Sequence, residues 1–82
     1  MAKAIVLDDP PGGDEVTDYD LAHRVTYLRL LDADAEGADV DEVALVVLGI
    51  DPGAEPERAR LVHARHLARA RWMSVKGYRQ FR

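Results

Sequence analysis

The chain has 82 residues, no cysteine and 48% apolar residues. That limits it to one small domain with a thin stability margin and excludes disulfide frameworks and thiolate metal centres. Fifteen acids against three bases in residues 1–57 leave that part at −12. Eight bases and no acid leave residues 58–82 at +8, within a net charge of −4. An asymmetry of this size points to an electrostatic binding surface or to two halves that neutralise each other across the fold.

The longest apolar run, Val43–Ile50, is interrupted by Gly49 and falls far short of the roughly 20 residues a bilayer span needs. The opening Met1–Leu7 is too short for a signal peptide and meets Asp8-Asp9 at once. The cysteine-free composition suits a reducing cytoplasm.

Residues 1–15 read as a flexible N-terminal tail. Ala4–Leu7 could form one short strand, but Asp8-Asp9-Pro10-Pro11-Gly12-Gly13 stops regular structure and no partner strand is evident. Residues 16–82 read as the domain, with three helices. The first starts at Thr17, with Asp20 three residues on as the capping partner. It presents Leu21, Val25, Leu28, Leu31 and Ala35 to the core at helical spacing and stops at Gly37. The second starts at Asp39, with Glu42 as a capping box, and runs through the apolar stretch to Leu48. Residues 49–55 contain the turn signal Asp51-Pro52-Gly53. Pro56 opens the third helix, rich in Ala and Arg, which runs to about Lys76 before Gly77. Tyr78 and Phe81 are candidates to fold back onto the core. The fold class is therefore all-α: a three-helix helix-turn-helix order.

On a helical wheel, Leu61, Ala64, Ala68, Trp72 and Val75 form the expected core face of the third helix, with Trp72 its largest anchor. Arg58, Arg65, Arg69 and Lys76 form a basic stripe beside it, the arrangement phosphate contacts require. The same stripe could equally cover core edges and pair with acids of the earlier helices. Opposite the expected core face of the first helix lie His23, Tyr27 and Leu30, a candidate partner-binding patch. His63 and His66 are three apart, but a metal site needs three or four ligands, so they read as surface histidines and no metal or other cofactor is expected. Ser74 is the only serine, the acids fall where caps and loops explain them, and no phosphate-binding glycine loop is present. The chain therefore reads as a non-enzyme.

Three stretches carry a resemblance: Asp20-Leu21-Ala22-His23-Arg24-Val25-Thr26-Tyr27-Leu28-Arg29-Leu30-Leu31-Asp32-Ala33, then Val43-Ala44-Leu45-Val46-Val47-Leu48-Gly49, then Arg69-Ala70-Arg71-Trp72-Met73-Ser74-Val75-Lys76-Gly77-Tyr78-Arg79. Together they resemble a bacterial family carried on proteobacterial conjugative elements, formerly labelled a domain of unknown function. The resemblance covers about Asp18 to Arg82. It implies a helix-turn-helix variant with an extended turn between the second and third helices. Two-domain members of that family are transcriptional activators that bind DNA; short single-domain members are antiactivators. This chain is similar to the second kind, being short and acidic. The implied partner is an FseA-like activator of conjugative transfer, engaged through its N-terminal domain, with a LuxR-type quorum-sensing regulator as a second target. The implied consequence is blocked transcription of genes for horizontal gene transfer. The rival expectation is a DNA-binding transcriptional regulator using Arg58, Arg65, Arg69 and Lys76.

Overall fold

The computed structural model describes residues 6–75. Among them the structure is all-α: α1 (Asp18–Ala22), α2 (Arg24–Glu36), α3 (Val40–Val43) continuing as a single π-helical turn (Ala44–Leu48), and α4 (Pro56–Val75). No strand occurs among the described residues. The expected stop at Gly77, the fold-back of Tyr78 and Phe81, and Lys76 itself lie outside the described residues, as does most of the Ala4–Leu7 segment.

Local chemistry sets most of the boundaries. Thr17 and Asp20 form a reciprocal capping box: the Asp20 N–H donates to Thr17 Oγ1 and the Thr17 N–H donates to Asp20 Oδ2 at 2.9 Å. The single helix expected over Thr17–Gly37 is divided at His23, whose backbone (φ −108°, ψ 21°) leaves the helical region. Gly37 closes α2 in the left-handed conformation (φ 71°), with the Ala38 N–H returning to Ala33 O at 3.0 Å. Asp39 precedes α3 as expected, but its side chain makes no cap hydrogen bond. The apolar run after it widens into a π turn, in which the Gly49 N–H bonds Ala44 O, five residues back. Gly49 takes φ 72° there, a conformation in which a side chain would be strained. In the 49–55 turn the Gly53 N–H donates to Asp51 Oδ1 at 2.8 Å, and α4 then starts at Pro56.

The core is built from Tyr27 and Leu30 of α2, Val43, Ala44 and Leu48 of α3 and its π turn, Ile50, and Ala59, Val62, Leu67, Ala70 and Met73 of α4. On two helices this departs from the sequence expectation, although Leu31 packs partly buried against the core as expected. Leu21, Val25 and Leu28 are exposed, at 40%, 63% and 61%, while His23, Tyr27 and Leu30 are buried at 3%, 2% and 0%. On α4, Leu61, Ala64, Ala68 and Val75 face solvent and Trp72 sits half-buried at the core's edge. The reason is a polar network, described below, that fills the space between α1–α2 and α4. Side chains that satisfy one another's hydrogen bonds are buried there, and the apolar stripes on the opposite sides are left outside.

Candidate functional site

Asp20 is at the centre of that network. It projects from the first turn of α1 with no exposure, facing Arg69 of α4, which is 6% exposed. The pair is bidentate, Arg69 Nε to Asp20 Oδ1 at 3.0 Å and Arg69 Nη2 to Asp20 Oδ2 at 2.7 Å. The Tyr27 hydroxyl donates to Asp20 Oδ1 at 2.8 Å. Burial by itself raises the carboxyl's pKa, but the hydrogen bonds from Arg69, the Thr17 N–H and Tyr27, with the guanidinium charge, outweigh it and bring it down to about 2. Burial first, and then the adjacent carboxylate, push the Tyr27 hydroxyl upward. Arg69 spends its remaining donors on the backbone of the N-terminal segment, Gly13 O and Glu15 O, both at 2.8 Å. Its guanidinium also lies 3.9 Å from the Trp72 ring centroid.

A second strand of the network runs through histidines. The His66 Nδ1–H donates to Val62 O at 2.8 Å, leaving Nε2 to accept from the Tyr19 hydroxyl at 2.6 Å. That hydroxyl in turn accepts from the Leu7 N–H at 3.0 Å. Tyr19 stacks on His23 with ring centroids 4.0 Å apart. Burial pulls His66 and His63 below the ordinary histidine pKa, so both are neutral side chains of the interior rather than the surface histidines expected from sequence. Every buried side-chain nitrogen and oxygen among the described residues has a hydrogen-bond partner. The arrangement is a closed structural unit, with no polar atom left pointing into a cavity.

The basic stripe is correspondingly occupied. Arg58 pairs with Asp8 at 2.8 Å and with Glu55 at 3.0 Å, Arg65 with Asp9 at 2.7 Å, and Arg69 with Asp20. On the other flank Arg71 reaches Asp34 at 2.8 Å and Arg60 lies 3.9 Å from Asp41. All five arginines of α4 thus have a carboxylate partner in the chain. Residues 6–15, read from sequence as part of a flexible tail, supply two of these carboxylates and two carbonyls to α4, and Val6 packs against the core. Among the described residues, the five arginines of α4 are thus neutralised by carboxylates of the acidic part of the chain.

The partner-binding residues expected from sequence require correction. His23, Tyr27 and Leu30 are one face of the helix, as their spacing indicated, but that face is interior and offers no surface to a partner. On α1 and α2 the exposed large apolar residues are Leu21, Val25 and Leu28. Leu28 lines a groove of about 550 Å³ between α2 and α4, with Arg24, Tyr27, Leu31, Met73 and Ser74 among others, and Val25 lines a separate depression with Arg29, Val47 and Leu48. A second exposed apolar group comprises Leu45 and Val46 on the π turn, at 51% and 65%. Among the described residues no three His, Asp or Glu side chains converge as metal ligands, and no helix is long and apolar enough to cross a membrane. The chain matches no family model and no curated protein.

Proposed function

We propose that the chain is a regulator that acts by binding another protein, a QseM-like antiactivator in the cytoplasm that occupies the N-terminal domain of an FseA-like activator and blocks transcription of transfer genes. The supporting observation is the pairing of every α4 arginine with a carboxylate of the same chain, while large apolar side chains stand exposed on α2. A phosphate backbone would have to displace Asp8, Asp9 and Glu55 before reaching Arg58 and Arg65, and Arg69 is held in the interior. Phosphate contacts supply most of the affinity for DNA, so the stripe proposed for the rival DNA-binding reading is largely consumed. The fold accords with a helix-turn-helix variant in which α1–α2 act as the first helix, α3 as the second and α4 as the third. The seven residues 49–55 form its extended turn, longer than the usual three or four.

The test combines calorimetric titration against the purified N-terminal domain of an FseA-like activator with a mobility shift on the activator's promoter at low salt. The expected result is a stoichiometric protein complex and no shift by the chain alone. Absence of complex with a shift that weakens steeply as salt rises would establish the DNA-binding reading in its place.

A further inference from the structure

The acidic segment that crosses α4 is held by two kinds of contact. Its inner end is tied to a buried group: Arg69, 6% exposed, donates to the Gly13 and Glu15 carbonyls, both at 2.8 Å. Its outer end, residues 6–9, rests largely on groups that water reaches. Asp8 meets Arg58 at 2.8 Å and Asp9 meets Arg65 at 2.7 Å, with both arginine side chains 40% exposed and the carboxylates 57% and 72%. Exposed pairs of this kind contribute little and weaken as salt rises. The Leu7 N–H donates to the Tyr19 hydroxyl at 3.0 Å, while the Leu7 side chain stays exposed. Between the two ends lie Pro10, Pro11, Gly12 and Gly13. Gly13 takes φ 96°, and a Cβ on Gly12 would meet nothing within 4 Å. The chain can therefore pivot at Gly12, where the anchored end begins.

We propose that residues 6–9 are a hinged arm occupying, in cis, a site on α4 for an extended acidic segment of a partner protein, and that such a segment displaces the arm. The proposal rests on the reading of the chain as a protein-binding regulator and names a surface and the chemistry of its ligand. The arm itself displays that chemistry. Its two adjacent carboxylates reach in opposite directions along α4, to arginines seven residues apart, roughly 10 Å along the axis. Val6 packs against the core beside them. The Tyr19 hydroxyl gives its proton to His66 Nε2 at 2.6 Å, so its oxygen is left to accept from a backbone N–H. Swinging the arm away at Gly12 takes the Asp9 carboxylate from Arg65 and the N–H from Tyr19. An apolar residue followed by paired acids on an extended chain restores each contact. That donor requirement decides among occupants: phosphate oxygens only accept, so a nucleic-acid backbone could serve the arginines but not Tyr19, and a basic segment would be repelled. The tethered arm competes at high effective concentration, so a free segment binds weakly until the arm is disabled.

The experiment measures, by fluorescence anisotropy at low salt, binding of a labelled peptide with the sequence of residues 6–12 to the wild-type chain and to the double variant Asp8→Asn/Asp9→Asn. Both aspartates are exposed, so the variant folds, which circular dichroism verifies. The variant is expected to bind the peptide about tenfold or more tighter than the wild type does. A peptide with Asn in place of both aspartates should bind far more weakly, and adding Arg58→Gln/Arg65→Gln to the variant should remove binding. Equal binding to the two chains, equal binding of the two peptides, or no binding to the variant overturns the proposal. Duplex DNA binding the variant more tightly than the peptide does assigns the arginines to a phosphate backbone and overturns it. A wild-type dimer in sedimentation that the double variant abolishes assigns the arm to a second copy and overturns it too. The same two chains are then titrated with the activator's N-terminal domain. Binding about threefold or more tighter by the variant supports exchange at this site. Unchanged or weaker binding overturns it and leaves the antiactivator reading standing. If neither chain binds that domain, the antiactivator reading fails and the peptide measurements alone decide the arm.

Discussion

The two sides of residues 18–36 contrast in an unusual direction. The inner side carries Asp20, His23 and Tyr27 with Leu30, and the outer side carries Leu21, Val25 and Leu28. Helices on a protein surface ordinarily bury the apolar stripe and expose the polar one. Here the inner side gains more, because Arg69, itself held by the Gly13 and Glu15 carbonyls, satisfies Asp20, and His66 accepts from the Tyr19 hydroxyl. Among the described residues the outer side has no ion pair for Arg24 or Arg29, and its Leu21, Val25 and Leu28 stay exposed. One face of the helix is specified by internal contacts, while the other is available for external ones.

The strongest way to break this contrast is to remove one half of the buried pair. Arg69→Ala leaves Asp20 charged and unpaired in the interior and should cost about 3–5 kcal/mol, a large fraction of the ~5–15 kcal/mol available to a small domain. Chemical denaturation should show the midpoint fall accordingly, and a loss under 1 kcal/mol would mean that the pair is solvated. Next in size is a leucine comparison. Leu30→Ala opens a void at a fully buried position and should lower stability by about 2–5 kcal/mol, whereas Leu28→Ala on the outer side should stay within about 0.5 kcal/mol. Equal costs for the two would invert the faces assigned here.

The smallest effect is a pH dependence. His66 and His63 are held neutral, so their folded-state pKa values lie below the ordinary 6.5, mainly through burial. For His66 the Val62 carbonyl, Asp8 and Asp9 oppose the shift, and His23 adds to it. The unfolded chain therefore binds protons first. Stability is complete above about pH 6.5 and declines as the pH falls below it. Asp20 contributes a separate loss only at lower pH: its advantage is complete above the ordinary carboxyl value of 3.8 and disappears as the pH approaches 2. Thermal melts between pH 7.5 and 5.5 should show the histidine decline, and His66→Gln should flatten it. An unchanged slope in that variant would place the proton uptake elsewhere.

The sequence already contained both faces of α4. Ala59, Val62, Leu67, Ala70 and Met73 are as periodic as Leu61, Ala64, Ala68, Trp72 and Val75, and hydropathy favours the second set because the first is interleaved with His63, His66 and Arg69. Reading polar residues as outward-facing therefore inverted the helix. A usable signal was present in complementarity: Asp20, His23 and Tyr27 share one face of the first helix, and His63, His66 and Arg69 border one face of the last. Such pairs can be buried together when each satisfies the other. For the candidate site, the interest of the helix around residues 21–30 was legible, but the side that faces outward was not.

What the sequence determined by itself was everything governed by near neighbours. The Thr17–Asp20 cap, the glycine stops at 37 and 49, the Asp51 turn, the start at Pro56 and the all-α class all follow from backbone hydrogen bonding and dihedral preference within a few residues. Tertiary structure decided which of two plausible stripes on each helix went inside, and that the acidic N-terminal part would neutralise the arginines of α4. Those outcomes depend on whether Asp20 and Arg69, 49 positions apart, meet in space. The cost of burying a charge turns on the partner found there, and one-dimensional periodicity carries no record of that distance.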